Sequence, residues 1–248
     1  MSGHILLLLA AAFCGGALNA AAGGGTFLTL PSLMLVGVPP VAANATSTVA
    51  LLPGYVASAW GFREDLRGRR DVRLWPIVFA SLAGGVIGAV LLLYTSNAAF
   101  RVIVPWLMLV ATLWFALWPL VETRLGSTAG AGTATTFAGV LAVSIYGGYF
   151  NGGLGIILLA LLGALGFADL NHMNGIKSLI SAILTAIAVV VYVLGSAVVW
   201  ADAALMMAAA IAGGYAGARW ARRVPPTYLR YGIVAVGATM TAAFFVRW

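Results

Sequence analysis

Two glycine runs interrupt apolar sequence at matching places in the two halves of this chain. The first is Asn19-Ala20-Ala21-Ala22-Gly23-Gly24-Gly25-Thr26, and the second is Tyr149-Phe150-Asn151-Gly152-Gly153-Leu154-Gly155. Glycine is the poorest helix former after proline, so each run reads as a break in a helix. In lipid, broken backbone is tolerated only where protein buries it or where it lines a polar cavity. Two breaks at corresponding positions point to a binding site near the bilayer midplane, of the kind found where transporter repeats meet.

The surroundings of the breaks are lipid-soluble. Of 248 residues, 62% are hydrophobic and 8% are charged, against about 25% charged in a soluble domain. The apolar runs are long enough to cross a bilayer as helices and lack the two-residue alternation of a membrane barrel. The expected class is therefore an all-α integral membrane protein, multi-pass in the inner cell membrane, with the lipid bilayer as a partner. The net charge of +7 does not point to nucleic acid. It is concentrated in Arg63, Arg67, Arg69, Arg70 and Arg73, and in Arg219, Arg222, Arg223 and Arg230, which is how cytoplasmic loops are marked.

A shift of about 130 residues superposes Gly23 on Gly153, Gly25 on Gly155 and Asn44 on Asn174. With one residue slipped, Ala83-Gly84-Gly85-Val86-Ile87-Gly88-Ala89 falls on Ala212-Gly213-Gly214-Tyr215-Ala216-Gly217-Ala218. The domains read as an N-terminal repeat, 1–122, a linker, 123–133, and a C-terminal repeat, 134–248. Five apolar segments are expected in each: 4–22, 26–37, 41–62, 72–94 and 102–120, then 134–150, 154–166, 173–194, 198–218 and 231–247. The second of each five is too short to span and reads as a half-helix after the break, so each repeat is a glycine-broken helical hairpin plus about three spanning helices. The basic loop follows the third segment in one half and the fourth in the other. Equivalent loops then lie on opposite sides of the membrane, and the repeats are expected to be of inverted topology. Pro53-Gly54 is expected to kink the third segment.

Lys177 is the sole lysine, and it lies in the apolar segment after the second break. A charge within a span is a functional candidate; the alternative is a lysine near a helix start with its head in the interface. The candidate substrate-binding set is Asn19, Gly23, Gly24, Gly25, Thr26, Asn44, Ser47, Thr48, Tyr149, Asn151, Gly152, Gly153, Gly155, Asn174, Lys177 and Ser178. Helix N-termini, glycine-exposed N–H groups, neutral amides and hydroxyls, and one ammonium together suit a small oxyanion. Asn44 and Asn174 are expected to open their helices, Lys177 to lie about one turn in, and the two breaks to face each other across a central polar cavity. Asp169 and His172 are candidates for proton coupling, with helix capping as the competing role. Nothing in the chain supplies a nucleophile with its base or a carboxylate pair for a metal, so neither an enzyme, a metal nor a cofactor is expected.

The sequence resembles the sulfite exporter TauE/SafE family of membrane permeases. The matching stretches are Asn19 to Pro31, Gly37-Val38-Pro39-Pro40, Ala43-Asn44-Ala45-Thr46-Ser47, Tyr146 to Gly155, and Asn171-His172-Met173-Asn174-Gly175-Ile176-Lys177. The resemblance implies a secondary transporter, an exporter of small sulfur-containing anions such as sulfite or organosulfonates. The alternative reading is a carrier or channel for another small anion or carboxylate.

Overall fold

The computed structural model describes residues 2–21, 23–66, 74–125, 132–167, 169–221 and 226–247. Among them are ten helices of ten residues or more and one short turn of helix. They are α1 (Ser2–Ala21), α2 (Thr26–Leu35), α3 (Pro40–Gly61), α4 (Arg63–Leu66), α5 (Leu74–Tyr94), α6 (Asn97–Leu125), α7 (Thr133–Tyr149), α8 (Leu154–Ala164), α9 (Leu170–Leu194), α10 (Trp200–Ala221) and α11 (Pro226–Arg247). Arg67, Arg69, Arg70, Arg73, Arg222, Arg223 and the linker stretch 126–131 lie outside the described residues. Four of the described helices, α1, α5, α6 and α9, are long and apolar enough to cross a bilayer.

Both breaks are real. Helix α1 ends before Gly23, which takes φ 88°, and α2 begins at Thr26. Helix α7 ends at Tyr149, and Asn151 (φ 59°) and Gly153 (φ 70°) turn the chain into α8. At 1.5 Å per residue, the ten residues of α2 and eleven of α8 cover about half of a bilayer core. The two half-helices end alike. Val38 N–H bonds Leu33 O at 3.0 Å around Gly37, and Phe167 N–H bonds Leu162 O at 3.1 Å around Gly166. Both glycines have a left-handed φ, 95° and 91°, the usual helix stop.

Several boundaries differ from the sequence expectation. Helix α3 starts at Pro40, one turn before Asn44, because a proline at the first helical position is already set for the helix and has no N–H to lose. Helix α9 starts at Leu170, so Lys177 is two turns in rather than one. Helix α6 runs from Asn97 to Leu125, well beyond 102–120, and α11 begins at Pro226. Helix α4 was not anticipated. Pro53 lies inside α3, which continues through it.

The halves interlock. Helix α1 lies along α10, and its counterpart α7 lies along α5; α3 meets α10 as α9 meets α5; α2 meets α11 as α8 meets α6. The helices α3 and α9 pack on each other, as do α6 and α11. Their directions can be read from side chains. Ser58, near the end of α3, meets Ser178, near the start of α9, at 2.9 Å; Thr46, near the start of α3, accepts from Val199 N–H beyond the end of α9 at 3.0 Å. The helices are antiparallel. So are α6 and α11, where Trp106 stacks edge-on with Phe245 (5.1 Å) and Thr112 lies against Gly237.

The repeated Ala-Gly-Gly-x-x-Gly-Ala stretch makes the α1/α10 and α5/α7 crossings, small residues letting the backbones touch. A Cβ at Gly88 would fall 2.1 Å from Ile145 O and 2.7 Å from Tyr149 N, and one at Gly213 would fall 1.9 Å from Phe13 O. Backbone cannot yield as a side chain can. Gly88→Ala is therefore expected to destabilise by about 1–3 kcal/mol, as over-packing does. Gly54→Ala, in α3 with nothing within 4 Å of the added carbon, should be neutral or up to about 1 kcal/mol stabilising through helix propensity. Thermal unfolding of the two variants in detergent checks the contrast.

Candidate functional site

The second break is tied down by side chains from both halves. Tyr192 on α9 donates its hydroxyl to Gly148 O. Asn44 on α3 donates Nδ2 to Tyr149 O at 3.0 Å, and Tyr146 donates to Gly152 O at 2.6 Å. These carbonyls come at or after the end of α7, where the helix has no further N–H to offer. Phe100 packs edge-on against Tyr149 and Phe150, at 5.7 and 6.5 Å between ring centres. The first break closes on itself: Gly23 N–H bonds Leu18 O and Asn19 O, and Thr29 Oγ1 donates to Gly25 O at 3.2 Å.

The two breaks touch. A Cβ at Gly23 would be 2.7 Å from Gly155 Cα, so glycine is required there both by its φ and by this approach. This corrects the expectation of a cavity between the breaks: with no side chain on either glycine, backbone meets backbone. Beside the contact stands Tyr55 of α3. Its hydroxyl donates to Asn151 Oδ1 at 3.2 Å and also meets the side chain of Asn19. Asparagines of both breaks thus lie near one hydroxyl, and the one at 151 is bonded to it.

Several buried polar atoms around this crossing have no hydrogen-bond partner: Asn19 Oδ1, Thr26 Oγ1, Asn44 Oδ1 and Asn151 Nδ2. Buried polar groups are ordinarily paired, and leaving one unpaired costs about 1–3 kcal/mol. Four more such atoms lie on the helices themselves, at Thr112 of α6, Ser144 of α7, and Ser181 and Thr185 of α9.

The remaining candidates fall into two further groups. Ser47 Oγ meets Thr29 Oγ1 at 2.6 Å, and Thr48 Oγ1 donates to Asn44 O at 2.8 Å. Lys177 Nζ donates to Asn174 Oδ1 at 2.8 Å, and Ser178 shares its hydrogen bond with Ser58. Because α3 and α9 are antiparallel, these groups lie at opposite ends of the pair. Ser47 and Ser58 are eleven residues apart, about 16 Å along the helix. The expected set is therefore not one cluster, and Asn44 and Asn174 lie inside helices with no helix-terminal N–H groups of their own. The free helix ends belong to α2 and α8. Gly24 and Gly25 lie in the first break and Gly152 and Gly153 in the second, as expected.

Lys177 is 6% exposed, so it does not reach a free surface. Among the described residues no carboxylate forms an ion pair with it; the ion pair found there is Arg63 with Glu64. Asp169, just before α9, accepts from His172 N–H at 3.3 Å, the bond of an N-cap, and the buried His172 ring lies 5.9 Å from that of Phe167.

Sequence reasoning missed Tyr55, Ser58, Thr29 and Tyr192. The signal for all but Thr29 was present. Asn44, Thr48, Tyr55 and Ser58 recur at helical spacing along one face of α3, and Asn174, Ser178, Ser181, Thr185 and Tyr192 do so along α9.

Residues 8–244 match the family described as sulfite exporter TauE/SafE. The chain is similar to a probable membrane transporter protein of Haemophilus influenzae, 30% identical over 252 residues covering 95% of this chain and 93% of that one. It is similar also to the probable membrane transporter protein YfcA of Escherichia coli K12, 28% identical over 95% of this chain and 87% of that protein.

The buttressing of the second break gives a direct expectation. Tyr192→Phe strands the buried Gly148 carbonyl and should destabilise by about 1–3 kcal/mol. Tyr94→Phe, at an exposed position, should leave stability unchanged. Unfolding midpoints in detergent make the comparison.

Proposed function

The chain belongs to the sulfite exporter TauE/SafE family, and on that footing we propose that it is a secondary carrier that exports a small sulfur-containing anion, sulfite or an organosulfonate, across the inner cell membrane. The observation that carries this reading is the meeting of the two breaks, with unpaired amide and hydroxyl groups buried around them. Asn151 Nδ2 and the Thr26 hydroxyl are the donors among them, and neutral donors fixed at broken helices can bind an oxyanion without water. A structural membrane subunit has no use for such groups.

The repeats are of inverted topology in this reading, and the helices cross the membrane several times. Support comes from the antiparallel pairing of equivalent helices, α3 with α9 and α6 with α11. A two-fold axis relating antiparallel partners is perpendicular to them, and so lies in the membrane plane when they span it. Breaks approaching from opposite faces then form a shared gate. Passage requires Gly23 and Gly155 to part, which exposes Asn19 and Asn151 to one side or the other.

Lys177 supplies the attraction. It is buried with a neutral partner, and an uncompensated charge held in a membrane span is costly unless function retains it. Asp169 serves as the cap of α9, and the imidazole of His172 is the group proposed to carry a coupled proton.

Uptake of labelled sulfite into proteoliposomes tests the reading. Saturable, protein-dependent flux is the expected result; flux rising linearly with concentration marks a channel, and no flux above protein-free vesicles removes sulfite from consideration. Lys177→Gln keeps length and polarity and removes the charge. It is expected to weaken sulfite binding more than about ten-fold, the equivalent of a lost charge-assisted hydrogen bond. An unchanged dissociation constant, measured in detergent at two salt concentrations, would rule Lys177 out as the counter-charge.

A further inference from the structure

The three residues at the crossing of the breaks form a chain with a direction. Tyr55 donates to Asn151 Oδ1, which leaves Asn151 Nδ2 as a buried free donor. Asn19 meets the same tyrosine and leaves Oδ1 as a buried free acceptor. Asn151 is 1% exposed, Tyr55 5% and Asn19 9%, so water is not at hand to satisfy either atom. The trio carries no formal charge. The ammonium lies apart, on Asn174, and Ser178 next to it reaches Ser58, one turn along α3 from Tyr55.

A free donor on one amide and a free acceptor on the other, with both amides turned to one hydroxyl, is an unusual provision for a bare anion. Asn151 Nδ2 can bond an anionic oxygen. Asn19 Oδ1 can only accept, and an oxyanion without a proton would set lone pairs against it in a desolvated place. A fragment with an O–H next to an anionic oxygen satisfies both atoms at once.

Resting on the anion-carrier reading, we propose that Asn19, Tyr55 and Asn151 form a neutral subsite for an oxyanion that still carries a proton, such as the singly protonated form of sulfite. Tyr55 is the positioning residue: its hydroxyl fixes which face each amide presents. The breaks come from different halves of the chain, so the subsite is complete only while the two halves are engaged. Asn151 is held at φ 59°, a conformation that asparagine accepts more readily than most residues, and this sets its amide toward Tyr55.

Methylphosphonate and methanesulfonate test the subsite, because they share shape and heavy-atom count. At mildly acidic pH each carries one negative charge, but methylphosphonate retains an O–H. Binding of each, and of sulfite, is measured by calorimetry on the purified full chain in detergent. The expected result is methylphosphonate tighter by about ten-fold, the effect of one hydrogen bond gained at a buried acceptor. In Asn19→Leu, which removes the acceptor, and in Tyr55→Phe, which frees the amides to turn, the ratio should fall below about three-fold. Unfolding midpoints near that of the wild type establish that both variants are folded. A wild-type ratio near one or reversed, a ratio that survives both substitutions, or sulfite binding without either methyl compound overturns the subsite and leaves the carrier reading standing. No binding of sulfite or of either methyl compound overturns both.

Discussion

A helix that stops inside an apolar solvent leaves carbonyl and N–H groups that only protein can satisfy, and the rest of this structure follows from meeting that need twice. The second break is held by Tyr192, Asn44 and Tyr146, three side chains on three separate backbone carbonyls. Two of those side chains come from outside the broken hairpin, and Asn44 comes from the other half of the chain. In a half-chain alone the Tyr149 carbonyl would lack this donor.

The same need explains where polarity is placed. Helices α3 and α9 carry their polar residues in stripes, buried against the breaks and against each other, while bulky apolar groups such as Val56, Val190 and Val193 face outward. The close helix crossings at Gly88 and Gly213 bring the stripes within reach. Packing through small residues holds α1, which carries Asn19, against α10, and α7, which leads into Asn151, against α5. The unpaired atoms left over where the breaks meet are the chemistry available to a ligand.

The sequence made the breaks and the half-helices legible, because glycine and proline act locally. The segment expected at 41–62 is α3 to within a residue, but Asn44 and Asn174 read as openers of their helices, where Pro40 and the Asp169 cap do so. The sequence also gathered Ser47 and Ser178 into one site. Antiparallel docking sends them to opposite ends, and docking direction between distant helices is not written in any local pattern. Tyr55 escaped for the related reason that an aromatic residue two positions after Pro53 reads as packing. Its role arises only when the breaks of both halves arrive at its hydroxyl.

The central claim is that α3 and α9 run antiparallel beside the meeting point of the breaks; in the carrier we propose, the two helices move relative to each other as the breaks part. Cysteines at 58 and 178, introduced after Cys14→Ser, test it most directly. The serine hydroxyls there are 2.9 Å apart, which places the side chains within reach of a disulfide. The account predicts that mild oxidation forms the crosslink, that sulfite flux in proteoliposomes stops, and that reductant restores it. Failure of the 58–178 pair to crosslink, with ready crosslinking of cysteines at 44 and 174 instead, would contradict the antiparallel pairing. Full flux through a crosslinked 58–178 protein would contradict the relative movement.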